Sequence, residues 1–270
     1  MNVAERRFIQ TVWNYYERHG RRSLPWRNTK NPYHILVSEI MLQQTQVERV
    51  VSKYENFLKR FPTLQKLSSA SLADVLIMWQ GLGYNRRAKM LHECAKQIID
   101  EHHGRFPKKY DELLQLRGVG QYTAGAIMAF AHNSAIPIIE TNIRSVYIHH
   151  FFNDDIDVHD REIIAYIERT LENTHVREWY YALMDYGVYI KKEFGNPNRR
   201  SVHFVTQSSF KNSERQIRGA IITLLTQETA TRKKIHRKLP FEIDRIDAQL
   251  EKLIYEKMIE KKESCYRLPA

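Results

Sequence analysis

Two glutamates stand in sequence contexts where a carboxylate could take part in chemistry. Glu39 lies inside an apolar stretch, and Glu140 follows a short apolar run and precedes Asn142. A carboxyl group buried among apolar side chains has a raised pKa and can act as a general acid, while a second carboxylate can stabilise a cationic sugar. Such a pair suits cleavage of an N-glycosidic bond. Structural interpretations stay open for both: Glu39 could bond a helix N-terminus, and Glu140 could cap a helix that starts near Thr141.

The segment Gly118-Val119-Gly120 interrupts one helical pattern and immediately starts another. Two glycines allow the backbone to turn tightly and leave N–H groups exposed at the N-terminus of the following helix. Those N–H groups and the positive end of the helix dipole both favour an anion. The segment therefore predicts a turn that binds a phosphate.

Two polar segments could contact a duplex. Gln43 and Gln44 come directly after the first glutamate segment, and their amides could pair with base edges or fill a gap in the duplex. Tyr84 lies on a glycine-containing loop beside Arg86 and Arg87. Its ring could wedge into a base stack while a guanidinium group contacts phosphate. A helix end exposed to water and a plain connecting loop are the alternatives.

The charge of the chain points to a polyanionic partner. Its 270 residues carry a formal net charge of +11, and from Lys191 onward 18 Lys and Arg stand against 10 Asp and Glu. This balance favours a nucleic acid. Two distant cysteines, Cys94 and Cys265, exclude a disulfide framework and a four-cysteine metal site. Without a signal peptide or a long apolar segment, we expect a cytoplasmic, DNA-associated protein with no membrane contact.

Apolar residues recur with helical spacing over most of the chain, so we predict an all-α fold. The last part of the chain has three helical patterns and a short β-hairpin, which is typical of a winged-helix module, although a basic helical appendage is the alternative. The predicted divisions are a two-lobed body of residues 1–198 (one lobe of 25–135, a second of 1–24 plus 136–198), a linker of 199–212, and a winged-helix-like basic module of 213–270.

The motifs together resemble those of the helix-hairpin-helix DNA glycosylase superfamily (HhH-GPD), and within it the adenine DNA glycosylase (MutY) family. The resemblance covers residues 20–190 and rests on four segments: Leu24 to Arg27, Ser38 to Val47, Gly81 to Tyr84 and Gly118 to Ala126. The Ser38 segment is highly specific, whereas the glycine turn alone indicates only the superfamily.

This resemblance implies a role for each matching residue. Glu39 would protonate the adenine ring, and Gln44 and Tyr84 would help to open the duplex around the extruded base. Tyr122 occupies the position where bifunctional relatives carry a catalytic lysine, so a monofunctional glycosylase is expected. Asn142 matches an asparagine of the family's active site.

The sequence departs from the family pattern in three ways. Glu140 stands where the family has a catalytic aspartate, and its longer arm could misplace the carboxylate. The four cysteines of the family's iron–sulfur cluster are absent, so we expect no such cofactor, although a cation could bind at the glycine turn. Arg199 and Arg200 could then contact DNA in its place. The family's Nudix-like domain, which recognises 8-oxoguanine, is replaced by the basic module.

The resemblance predicts a monomeric, monofunctional glycosylase that binds double-stranded DNA containing a mispair or lesion. It would hydrolyse the N-glycosidic bond of adenine opposite 8-oxoguanine or guanine and leave an abasic site. Two alternatives stay open: a mismatch glycosylase for thymine or uracil opposite guanine, and a non-catalytic protein that binds DNA or a lesion.

Overall fold

The computed structural model describes residues 1–207 and 209–269. The described residues are predominantly α-helical, as predicted, and their three short strands lie in the C-terminal module. The helices are α1 (Val3–His19), α2 (Pro32–Leu42), α3 (Val47–Arg60), α4 (Leu64–Ser68), α5 (Leu72–Met78), α6 (Arg86–Glu101), α7 (Tyr110–Leu114), α8 (Gln121–His132), α9 (Thr141–Phe151), α10 (Asp160–Thr170), α11 (Val176–Glu193), α12 (Glu214–Gln227), α13 (Arg232–Lys238) and α14 (Ile243–Tyr255). The strands are β1 (Ala230–Thr231), β2 (Glu260–Lys262) and β3 (Cys265–Arg267), and two 3₁₀ turns span Pro25–Asn28 and Pro197–Arg200.

The chain divides into two compact units, each built from several segments. Residues 207–270 belong to the same unit as residues 37–107, and the limits of both units differ from those of the predicted lobes. The division into lobes, linker and module stays a prediction. The first unit contains Met1–Leu36, Lys108–Gln115 and Val119–Thr206, and the second contains Val37–Pro107, Leu116–Gly118 and Gln207–Ala270.

Aromatic side chains fill the core of the first unit where α1, α9 and α11 pack together. Phe8 of α1 meets Trp179 of α11 edge to face, with ring centroids 6.0 Å apart, and Tyr147 of α9 at 5.2 Å. All three rings are buried. The apolar face of α1 therefore anchors α9 and α11, the helices that carry Asn142 and Lys191.

A buried ion cluster ties the N-terminal segment to α11 within the first unit. The Asp185 carboxylate accepts two hydrogen bonds from the Arg27 guanidinium, at 2.7 and 2.8 Å, and one from Arg21 Nε at 2.7 Å. Although burial acts to raise it, these arginines hold the pKa of Asp185 below its ordinary value. Burying a carboxylate is costly unless it is paired in this way, so Arg27 has a structural partner that its local sequence does not reveal.

The second unit contains its own aromatic core among α3, α5 and the loop that follows it. Phe57 meets Trp79 nearly at right angles, with centroids 6.0 Å apart, and Phe61 at 5.0 Å. The indole N–H of Trp79 donates to the carbonyl of Gly83 at 3.1 Å. The core thereby fixes one end of the Gly81–Tyr84 loop.

The C-terminal module consists of α12–α14 and a three-stranded antiparallel sheet of order β1-β3-β2. The predicted β-hairpin is β2 and β3, and β1 adds a strand that the sequence did not predict. Asp247 of α14 is paired internally, since Arg232 Nε lies 3.1 Å and His236 Nε2 lies 2.7 Å from its carboxylate. The module packs against α5 through α12, where Thr223 Oγ1 donates to Gln80 Oε1 at 2.7 Å.

Candidate active site and nucleic-acid interface

Glu39 lies on α2, a helix that is buried along most of its length. The residue is 6% exposed, and its neighbours Val37, Ile40 and Met41 are almost completely buried. A carboxyl group in these surroundings is sheltered from bulk water, which is typical of carboxyl groups that act as general acids. Its role as the acid stays a prediction.

Glu140 is the N-cap of α9, and four hydrogen bonds hold its carboxylate. One oxygen accepts from the backbone N–H groups of Asn142 and Ile143, both at 2.8 Å. The other accepts from Thr141 Oγ1 and Asn142 Nδ2, both at 3.1 Å. The capping interpretation is therefore confirmed. Because the cap fixes the longer glutamate arm at one place, it also supplies the rigidity that a catalytic carboxylate requires.

Lys191 of α11 contacts the same asparagine within the first unit. Its Nζ donates to Asn142 Oδ1 at 2.8 Å, so the amide of Asn142 bridges Lys191 and Glu140. Burial lowers the pKa of Lys191, the charge of Glu140 acts to raise it, and Arg144 lowers it further. Gly187 allows α11 to approach this closely, because a Cβ there would lie 2.4 Å from the carbonyl oxygen of Asn142.

The glycine turn has the backbone geometry that its sequence predicts. Gly118 has a φ of 75°, and a Cβ on it would lie 2.7 Å from the Cβ of Met90. Gly120 is the N-cap of α8, with no side-chain hydrogen bond to the cap and no neighbouring atom within 4 Å of an added Cβ. Gly120 and Gln121 are exposed at this N-terminus, which fits the predicted phosphate site. Val119 is buried, and Tyr122 lies half-buried in the first turn of α8.

In the second unit, the structure brings together the segments after α2 and before α6. Gln44 and Tyr84 both have left-handed backbones, with φ of 54° and 46°. Residues other than glycine seldom adopt this conformation, and such strain clusters at functional sites. Gln207 of the C-terminal segment donates to Gln44 Oε1 at 3.4 Å and also donates to the Tyr84 hydroxyl.

The Arg87 side chain forms hydrogen bonds with both of these segments. Its guanidinium donates to the carbonyls of Ile40, Met41 and Gln43 at 2.5–3.0 Å, and to Thr45 Oγ1 and the Leu82 carbonyl at 3.1 Å. Burial lowers the pKa of Arg87 to about 10, so it stays charged at neutral pH. A phosphate contact by Arg87 stays a prediction, but its hydrogen bonds show a structural role at the C-terminus of α2.

The remaining predicted DNA contacts differ in exposure. Arg86 and Arg199 are exposed. Arg200 is half-buried, and its guanidinium donates to the carbonyls of Ile148 at 3.2 Å and Phe152 at 3.4 Å, near the end of α9. The geometry thus leaves Arg86 and Arg199 better placed for a phosphate than Arg200.

A cavity of about 960 Å³ lies within the second unit beside the Tyr84 loop. Gln44, Tyr84 and Arg86 line it together with residues of the C-terminal segment that include Gln207, Phe210 and Arg215. Sequence reasoning missed this contribution because the two parts are more than a hundred residues apart. The basic composition of the tail was the only signal that could have pointed to it.

The family of this chain follows from a comparison with models of known protein families. Residues 37–172 match the model of the HhH-GPD superfamily base excision DNA repair proteins. The chain belongs to the HhH-GPD superfamily. The matched region includes Glu39, the Tyr84 loop, the glycine turn and Glu140, so the superfamily core is the part of the chain that carries the predicted site.

Individual relatives of this HhH-GPD protein are adenine DNA glycosylases. The chain is 40% identical over 187 residues to that of Buchnera aphidicola subsp. Baizongia pistaciae, covering 68% of this chain and 52% of the relative. It is 46% identical over 129 residues to that of Mycolicibacterium smegmatis, covering 47% and 44%. The chain therefore spans about half the length of these relatives. Among solved structures, a thermostable thymine-DNA glycosylase matches with a TM-score of 0.61 and 25% identity, covering 68% of this chain and 86% of that one.

Neither a metal centre nor a membrane segment is found in the described part of this HhH-GPD protein. Over residues 1–207 and 209–269, no three His, Cys, Asp or Glu side chains are grouped so that they could hold a metal ion. Within the same residues, no helix has the length and apolar character needed to cross a bilayer.

Proposed function

We propose that this protein is a monofunctional adenine DNA glycosylase of base excision repair. Its substrate is double-stranded DNA in which adenine is mispaired with 8-oxoguanine or guanine. The observation that carries the proposal is the 40% identity to an adenine DNA glycosylase over 187 residues. The buried Glu39 and the capped Glu140 support it, because a monofunctional reaction needs these two carboxylates and no amine nucleophile.

In the proposed reaction, the adenine is flipped out of the duplex and Glu39 donates a proton to its ring. The bond between the adenine nitrogen and C1′ breaks, and the leaving base keeps the bond electrons. The side chain of Glu140 stabilises the positive charge that develops on the sugar. A water molecule then adds to C1′ and loses a proton, which gives an abasic site. Tyr122 has a phenol rather than an amine, so it forms no Schiff base.

DNA binding in this proposal combines three parts of the chain. The open N-terminus of α8 holds a phosphate through backbone N–H groups, as Gly120 leaves room for it. Gln44 and Tyr84 enter the duplex near the flipped base, where Tyr84 acts as a wedge. Exposed cations such as Arg86 and Arg199 add contacts to the phosphate backbone.

The proposal is tested by single-turnover excision on matched duplexes. They carry adenine opposite 8-oxoguanine, guanine or thymine, and thymine or uracil opposite guanine, and abasic sites are revealed by alkaline cleavage. We expect excision of adenine opposite 8-oxoguanine and guanine only. The variant Glu39→Gln keeps the side-chain volume but has no acidic proton, so it should bind the duplex and excise nothing. Full turnover by this variant would remove Glu39 as the acid.

Thymine excision is the second candidate function, and the structural match to a thymine-DNA glycosylase favours it. The same set of duplexes separates the two candidates. Release of thymine or uracil opposite guanine, with adenine left in place, would assign the protein to the repair of deaminated bases. Tight binding without any excision would make it a non-catalytic binder of DNA.

A further inference from the structure

The side chain of Tyr84 is held at its tip by residues of the C-terminal segment. Both Gln207 and Arg215 donate hydrogen bonds to the Tyr84 hydroxyl. The Arg215 guanidinium also lies 5.3 Å from the centroid of the Tyr84 ring, within the range of a cation–π interaction. Arg87 lies at a similar 5.4 Å from the same centroid. The position of the Tyr84 ring is therefore set by the guanidinium groups of Arg87 and Arg215 and by the amide of Gln207.

The backbone on which Tyr84 sits does not fix the ring by itself. Gly81 and Gly83 have φ of 89° and 70°, so they share the left-handed conformation of Tyr84 itself. Trp79 and Arg87 hold the carbonyl of Gly83, at 3.1 and 3.2 Å. These contacts fix the main chain, while the direction of the Tyr84 side chain depends on contacts at its far end.

Arg215 is itself rigidly placed because it extends from the first turn of α12. Ser213 caps this helix by accepting from the Gln216 N–H at 3.3 Å. Ile217 and Ile221 bury its apolar face, and Thr223 bonds to Gln80, just before the Tyr84 loop. A guanidinium carried by a packed and capped helix can orient an aromatic ring with little further loss of entropy.

We propose that Arg215 and Gln207 are positioning residues for the Tyr84 wedge, so that the C-terminal module takes part in opening the duplex. This inference rests on the proposed function, in that it takes Tyr84 as the residue that separates stacked bases. It gives the module a role other than that of a separate DNA anchor. A wedge held in one orientation enters the base stack without first having to be ordered.

The test measures base unstacking separately from excision. A duplex carries 2-aminopurine next to a mispaired adenine, and its fluorescence rises when the stack opens. We expect wild-type protein to raise the fluorescence on binding. Arg215→Met and Gln207→Ala should bind with nearly unchanged affinity and should produce a much smaller rise. Arg218→Met is the matched control, since Arg218 lies on the same helix but pairs with Glu256 at 2.6 Å. It should open the stack as the wild type does.

Single-turnover rates provide the second arm. Arg215→Met should slow adenine excision about tenfold to a hundredfold at a mispair. The decrease in excision rate should be much smaller when the adenine lies opposite a tetrahydrofuran abasic-site analogue, because the adenine then has no partner base from which it must be separated. Tyr84→Phe lacks the hydroxyl that Arg215 contacts, so the double variant with Arg215→Met should be no slower than the slower single variant.

Four results would overturn the inference. Two concern excision rates: an equal loss of rate on both substrates, and additive effects in the double variant. Two concern fluorescence: a rise in Arg215→Met equal to or larger than that of the wild type, and no rise with the wild-type protein. A wild-type protein that opens the stack but releases no adenine would refute only the proposed function, so the two failures can be told apart.

Discussion

Asn142 gives Glu140 two hydrogen bonds, one from its backbone N–H at 2.8 Å and one from its side-chain amide at 3.1 Å. The carboxylate is thereby fixed at the N-terminus of α9 and faces the positive end of that helix. An aspartate at an N-cap reaches the same backbone N–H groups. The glutamate therefore keeps the capping function of an aspartate, although one more methylene group separates its carboxylate from its own Cα.

This geometry predicts different outcomes for two substitutions of Glu140. Glu140→Gln keeps one oxygen that can accept from the two backbone N–H groups, but it places an NH2 group opposite Asn142 Nδ2 and has no charge to stabilise a cationic sugar. Excision should therefore fall by about a hundredfold or more, while the melting temperature should fall only modestly. Glu140→Asp keeps both the charge and the cap and should retain activity within about a hundredfold of the wild type. Single-turnover excision and thermal unfolding check both. Equal activity of Glu140→Gln and the wild type would assign the residue to capping alone.

Asp185 should contribute strongly to stability. In Asp185→Asn, Arg21 and Arg27 lose the charge that compensates theirs, and we expect a loss of about 3 kcal/mol or more in the free energy of unfolding. Glu112→Gln is the control, because the Lys109–Glu112 pair is exposed with an N···O distance of 3.6 Å and should contribute at most about 1 kcal/mol. Denaturant unfolding measures both.

The pH dependence of stability follows from the same cluster. The pKa of Asp185 is lower in the folded than in the unfolded protein. The ionised carboxylate therefore contributes fully to the free energy of unfolding above the unfolded-state pKa of about 3.9, and this contribution is lost as the pH falls through the folded-state pKa. The wild type should therefore lose stability more steeply below pH ~4 than Asp185→Asn does. Parallel curves would contradict this.

Arg86 and Arg87 are neighbours in sequence, but the structure predicts that replacing Arg87 lowers stability whereas replacing Arg86 affects only DNA binding. Arg87→Met leaves several carbonyls without a donor, and we expect a loss of about 3 kcal/mol or more in unfolding free energy. Arg86→Met removes an exposed cation and should leave stability unchanged. It should weaken DNA binding and lower the slope of log K against log salt by about 1 if Arg86 contacts a phosphate. An unchanged slope would remove Arg86 from the interface.

Substitutions of the two glycines of the turn should have different effects, one on stability and the other on DNA binding. Gly118→Ala places a Cβ 2.7 Å from Met90 at a φ of 75°, so we expect a loss of about 1–3 kcal/mol in unfolding free energy. Gly120→Ala meets nothing within 4 Å and should fold normally. If a phosphate approaches Gly120, the added methyl group should weaken DNA binding in that variant alone, as measured by a filter-binding or anisotropy titration.

The sequence by itself determined the helical class and the local geometry of several motifs. Helical spacing of apolar residues is visible in any short window, and so are a glycine turn and an N-cap, since they depend on residues within a few positions of each other. For this reason the sequence predicted the turn at Gly118 and offered a cap at Glu140 as one of two interpretations. The motif around Glu39 likewise identified the superfamily, because its residues are contiguous.

The tertiary structure alone decided which distant side chains meet. Arg27 and Asp185 are 158 positions apart, and Tyr84 and Arg215 are 131 apart. Such pairs leave no mark on local periodicity, because only the packing of whole helices brings them together. The same limit applies to charge. A basic tail could be counted from the sequence, but packing decided that Arg87 and Arg200 bond to helix carbonyls and that Arg215 bonds to Tyr84.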